Sequence, residues 1–348
     1  MEIAFNQPQV AAQTRALAHR NIHIGTSSWK YPGWQGLLYD TERYRWRGHF
    51  SESRFNRTCL NEYAETFPSV CVDGAYYQFP SEKYLVSLSE QTPPHFKFSF
   101  KVTDAITIKR FPKLPRHGDR GGQYNPHFLD NGVFTRQFLA PCEAIRPKVG
   151  LLIFEFSKFY PRDFERGRHF VDALDRFFSK LPREWHYGVE IRNANFLQEE
   201  YFTMLAAHQV AHVYNSWDAM PGIDEQIEKA GDALGTTPIG ARLLLKPGRR
   251  YQTAVDQFQP YKHLQEIVPS ARDASAQLIK RALQQKVPLY LYGNNRLEGC
   301  SPHTLQAILN QLPQWVWEKL DLTDTEIGDS TSPSRTTGLF DQLENHPQ

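Results

Sequence analysis

The chain has 348 residues, 40% hydrophobic and 13% aromatic, with a formal net charge of +2. That length holds one large α/β domain or two ordinary ones, and the near-balanced charge by itself points to no class of partner. No stretch approaches the roughly 20 apolar residues of a spanning helix and the first twenty residues lack a secretory apolar segment, so a cytoplasmic protein with no membrane partner is expected.

Residues 1–20 read as an N-terminal extension. Ile22–Thr26 is the first strand, β-branched and ended by Gly25 and Ser27-Ser28, and Asn61–Phe67 reads as the end of a helix. Val70–Tyr77 is the second strand, followed by a helix over Ser81–Glu90 that opens on a serine N-cap. Phe96–Val102 alternates Phe96, Phe98 and Phe100, a strand period, and Phe128–Ile145 has helical spacing. Val149–Phe156 is almost continuously apolar, as in a strand buried on both faces. Helix 164–181, strand Tyr187–Arg192, helix 199–208 and strand Val210–Asn215 follow. Strand Ile239–Leu245, helix 271–285, strand Val287–Tyr292 and helix 304–312 complete the series.

Eight strand–helix units over roughly 290 residues predict a single-domain (β/α)₈ TIM barrel, with the domain at 21–315 and a flexible tail at 316–348. No GxGxxG follows the first strand, which disfavours an open doubly wound sheet. The loops Tyr31–Arg57 and Ile106–Pro126 are long, and both follow strands, so both lie over the C-terminal mouth where barrel sites form.

Several fragments resemble the YecE-like family, domain of unknown function 72, which typically opens G-T-S-G-W-x-Y-x-x-W-x-G. They are Gly25-Thr26-Ser27-Ser28-Trp29-Lys30-Tyr31 with Trp34-Gln35-Gly36, then Tyr63-Ala64, Tyr77-x-Phe79-Pro80, Phe98-x-Phe100-Lys101, Val189-Glu190-x-Arg192 and Asn294-Asn295 with Gly299. The resemblance implies a TIM barrel and supplies no activity. The chain departs from the family pattern at Cys71-x-Asp73, at Glu155, Ser157 and Lys158, and at Asn193 and Phe196.

Side chains at strand ends face the mouth of such a barrel. Lys101 fits a Schiff-base nucleophile, a fixed cation for an anion, or an internal ion pair with Glu155 or Glu190. Glu190 and Arg192 lie two apart and share a strand face. The Glu155–Glu190 pair could serve glycoside hydrolysis, but neighbouring cations would keep both carboxylates ionised. Arg192 and Arg242 suit carboxylate or phosphate. Asn294, Asn295 and Asp73 offer polar contacts, and Ser28, Trp29 and Tyr77 line the first two strand ends. The loops after strands seven and eight, with Arg242, Lys246, Arg249 and Arg250, are the expected anion site. The four cysteines show no CxxC, and no strand end shows a His/Asp/Glu metal cluster. No metal or cofactor is expected.

The expectation is a metal-independent enzyme, a hydrolase or lyase, acting on a small anionic sugar or nucleotide. Lys101, Glu190 and Glu155 would be catalytic, and Arg192, Arg242, Asn294, Asn295, Asp73, Tyr77, Trp29 and Ser28 would bind substrate. The alternatives are a nucleic-acid-binding protein without catalysis, which the basic loops favour, and a metabolite-sensing barrel.

Overall fold

The computed structural model describes residues 4–320 and 322. Eight parallel strands close into a barrel, each hydrogen-bonded to its chain neighbours and the last to the first. They are β1 (Ile22–Ser27), β2 (Ser69–Val72), β3 (Lys97–Lys101), β4 (Val149–Glu155), β5 (His186–Glu190), β6 (Ala211–Ser216), β7 (Ile239–Leu243) and β8 (Leu289–Gly293). The (β/α)₈ expectation is met.

The register sets the inner face. Tyr292 pairs with Arg242, and Ser27 with Cys71, so alternate residues of neighbouring strands share a side. Cys71, Leu151, Ile153, Ala211, Val213, Tyr290 and Tyr292 form a compact inner cluster. A Cβ on Gly240 would lie 2.9 Å from both Val213 and Leu151, so glycine there leaves those side chains room to fill the lumen. Within the lumen the Tyr292 hydroxyl bridges Ser69 at 2.8 Å and Ser99 at 2.6 Å. The lumen is thus packed shut, and any site must lie at its ends.

Two differences from the sequence reading have local causes, and the chain's two ends add two more. The second strand stops at Val72 because Gly74–Tyr76 forms a 3₁₀ turn, which lifts Asp73 to the rim. The span 128–145 is not one helix: it passes through α-, π- and 3₁₀-type turns from Asn131 to Lys148. Pro141 and Pro147 lack the N–H groups a regular helix would use. The N-terminal extension is a helix, Gln7–Ala18, whose Val10 and Leu17 are fully buried. Its Thr14 hydroxyl donates to Thr66 O at 2.7 Å. Helix Gln314–Glu318 crosses the expected start of the tail and buries Val316 and Trp317. Residues 321 and 323–348 of that tail lie outside the described residues.

The two long loops are partly structured. The first carries a short hairpin pairing Arg45 with Phe50, and the second is pinned by a bridge between Arg110 and Tyr124.

Candidate functional site

At the C-terminal end of the strands the inward positions turn from apolar to charged. Lys101 ends β3, Glu155 ends β4 and Glu190 ends β5, with Arg192 two residues beyond. Arg242 comes from β7 and Asp73 from just past β2. Barrel closure brings all six together.

Arg242 is the hub. Its Nη1 donates to Glu155 Oε2 at 2.9 Å and to Glu190 Oε2 at 2.8 Å, while Nη2 reaches Asp73 Oδ1 at 3.0 Å. Arg192 pairs with Glu190 Oε1 at 2.5 Å and donates to Asn215 Oδ1 at 2.8 Å, with its guanidinium 4.2 Å from the Trp217 ring centre. Lys101 Nζ lies 2.9 Å from Glu155 Oε2 and 4.0 Å from the Tyr76 ring centre. Three cations face three carboxylates. The side chains grade in depth from Glu190, fully buried, to Asp73, 33% exposed.

Protonation follows from these pairings. Burial alone would raise the Glu155 pKa, yet Lys101, Arg192 and Arg242 outweigh it and hold the carboxyl well below its usual value. For Lys101, burial favours the neutral amine, but Glu155 and Asp73 prevail and the pKa is raised. A lysine kept charged is a poor Schiff-base nucleophile, and a carboxylate kept ionised is no general acid. Beneath Arg242 burial pushes the Cys71 thiol up to about 12, which leaves it inert.

The clamp of free positive charge expected from Lys101, Arg192 and Arg242 is therefore corrected. A buried charge must be paired, and here the molecule's own carboxylates do the pairing. The other expected contacts divide. Asn294 caps a short helix, accepting from Arg296 N at 3.0 Å. Asn295 Oδ1 accepts from Ser301 N at 2.8 Å and from its hydroxyl at 2.9 Å. Both amides are buried and serve turn geometry, as does Ser28, which adopts a φ of 89° and donates its N–H to Cys71 O. Trp29 is a core residue. Tyr77 stands out on the rim, 66% exposed, with the Arg116 guanidinium 5.1 Å from its ring centre.

The anion site expected after strands seven and eight is also altered, because Lys246 and Arg249 both pair with Glu266. Unbalanced positive charge lies instead between the loops after β3 and β4. A groove of about 860 Å³ there is lined by Lys109, Arg110, Lys113, Arg116, Lys158 and Arg162, with Asp163 its one acidic residue. Tyr76 lies in its wall and joins it to the charged ring. The basic residues of the β3 loop were visible in the sequence; of the β4 loop, Lys158 was noted only as a departure from the family pattern and Arg162 was not singled out. The missed signal was adjacency, since loops following neighbouring barrel strands lie side by side.

Among the described residues, no group of three or more His, Cys, Asp or Glu side chains is arranged to hold a metal ion, and no helix is long and apolar enough to cross a membrane.

Comparison with known proteins agrees with this architecture. Solved DUF72 family proteins share the fold. One from Enterococcus faecalis V583 gives a TM-score of 0.53 at 17% identity, covering 84% of this chain and 97% of its own. One from Thermotoga maritima MSB8 gives 0.51 at 18%, covering 82% and 97%. UPF0759 protein YecE of Escherichia coli K12 is 28% identical over 194 residues, 54% of this chain and 56% of the relative. The match thus spans about half the length of that curated relative. The family model described as "Protein of unknown function DUF72" matches residues 23–321, from the first strand to beyond the last described helix. A closed eight-stranded barrel matched over that span places the chain in the DUF72 family.

Proposed function

We propose that the protein binds a small, hydroxyl-rich ligand bearing an anionic group, a sugar or nucleotide derivative, at the C-terminal mouth, with no metal required. The supporting observation is the solvent edge of the charged ring. The ion pairs of Glu155 run to its Oε2, and Arg242 takes Asp73 Oδ1, so Glu155 Oε1 and Asp73 Oδ2 remain to accept from ligand hydroxyls. Lys101 Nζ, with three donors, can give to a ligand oxygen beside them. These groups need no reorganisation on binding, because the buried half of the ring fixes them. Tyr76 and Trp217 add flat apolar faces suited to a sugar or base.

Turnover on this reading uses the charged Lys101 as a donor to developing negative charge, with Glu155 Oε1, held ionised, accepting from and orienting a ligand hydroxyl. Glu190, enclosed by Arg192 and Arg242, positions Glu155 through those two arginines. The test is calorimetric titration with a panel of sugar phosphates and nucleotides, joined to mass spectrometry of ligand released from gently denatured protein. Asp73→Ala is expected to weaken the best ligand at least tenfold. Equal affinity in wild type and variant would overturn the proposal, and product formation separates an enzyme from a sensor.

A second reading, single-stranded nucleic acid, is favoured by one observation. Tyr160 is exposed in the groove wall, and Tyr77 and Tyr124 are exposed beside Arg116 and Arg110 of that wall, each ring with an arginine 3.9–5.3 Å from its centre. Stacking faces beside cations suit a strand of bases. Binding of an oligonucleotide should then weaken steeply between about 50 and 200 mM salt.

A further inference from the structure

We infer that the groove between the β3 and β4 loops is a diphosphate subsite. This rests on the proposed mouth-bound ligand and specifies its anionic part. The groove holds six cations against the single carboxylate of Asp163. Two of those cations have acidic neighbours at the edge of ion-pair range, Arg110 at 3.6 Å from Asp163 and Arg116 at 3.5 Å from Asp104. Lys109 Nζ donates to the backbone oxygen of Asp163. Lys113, Lys158 and Arg162 have no carboxylate partner among the described residues, and Lys158 and Arg162 lie 6.0 and 5.3 Å from the Tyr160 ring centre.

A second observation points the same way. Thr107, 1% exposed, lines this groove, and its hydroxyl has no hydrogen-bond partner. A buried hydroxyl left unmatched is unfavourable, and a phosphate oxygen would satisfy it. One carboxylate carries too little charge to balance the surplus, whereas two linked phosphates carry two or three charges. Arginine binds such oxygens in pairs and lysine as a point charge. The groove volume, about 860 Å³, is within the range of small-molecule sites.

Position fits the chemistry. Ser157 in the groove wall follows Glu155 by two residues, and Tyr76 contacts both Lys101 and the groove. A diphosphate held by the loops would therefore place its organic group over the neutral ring.

The probe is inorganic pyrophosphate, titrated calorimetrically into the full chain at about 50 mM salt. Wild type is expected to bind it, and a Lys158→Ala/Arg162→Ala double variant to bind at least tenfold more weakly. Both positions are exposed, so the fold should be retained, as near-unchanged thermal unfolding would show. Thr107→Val, which keeps shape and removes the hydroxyl, is expected to weaken binding about fivefold. Asp73→Asn should leave pyrophosphate affinity unchanged even where it abolishes binding of a sugar ligand, so the two proposals fail separately. No binding by wild type, equal affinity in the double variant, or loss confined to Asp73→Asn would each overturn the subsite. Oligonucleotide binding that pyrophosphate cannot displace would overturn it in favour of nucleic acid.

Discussion

Six charged side chains meet at the strand ends, and six cations line the groove one loop further out, yet the two regions treat charge oppositely. In the ring each cation has a carboxylate within 3.0 Å, and Glu190 is wholly buried between Arg192 and Arg242. In the groove Lys113, Lys158 and Arg162 stand without such a partner among the described residues. The difference is solvation. Removing a charge from water is so costly that the interior tolerates it only when paired, whereas water and salt screen a surface cation at little cost. A cation that needs no internal partner is one that a guest can use.

The sharpest way to break this contrast is to unpair the ring. Glu190→Gln leaves two guanidiniums facing a neutral amide in a closed space. Urea unfolding should show a loss of about 3–5 kcal/mol, the usual cost of stranding buried charge. A loss below about 1 kcal/mol would mean that the ring is wetter and more adaptable than its geometry implies.

Acid should separate the ring from the barrel wall. Glu155 has a folded pKa below its unfolded value of about 4.3, so it contributes stability above that pH that is lost as pH falls toward the folded value. Wild type should therefore lose stability faster than Glu155→Gln between about pH 5 and 3. His212, on the outer face of β6, is bonded to Tyr201 and Gln226, and burial lowers its pKa to about 4. Its contribution is present above pH 6.5 and lost as pH falls from 6.5 toward 4, so His212→Gln should flatten that upper window only. Identical profiles for wild type and both variants would show that neither group carries the acid sensitivity.

The smallest effect is expected in the groove. Lys158→Glu removes like-charge repulsion and adds an attractive neighbour for Arg162, so stability should rise by a few tenths of a kcal/mol, the usual scale of exposed pairs. A loss of 1 kcal/mol or more would mark Lys158 as a structural residue.

Much of the fold was legible because its signals are local. The alternation of Phe96, Phe98 and Phe100 and the apolar run from Val149 reflect which faces of a strand are buried, whatever its neighbours. Turns were less legible. Gly74 ends β2 early, and the interrupted segment through Pro141 still has helical apolar spacing, so period alone misread it as one helix. Of the site, the ring members were named from their places at strand ends, either as ligands of a guest or, for Lys101, as an internal ion pair with Glu155 or Glu190, and the structure shows the pair with Glu155. Asp73 and Arg242 are separated by 169 positions in the chain, and no local pattern states that they are partners.

The sequence by itself therefore determined the eight strands and the charged character of their ends, because side-chain period and turn chemistry act over a few residues, whereas which residues face inward was set by the register of the closed barrel. Only the tertiary structure decided which charges neutralise one another and which remain available. Barrel closure sets β2, β3, β4, β5 and β7 around one axis and lays the β3 and β4 loops side by side, and pairing energy depends on those distances in space.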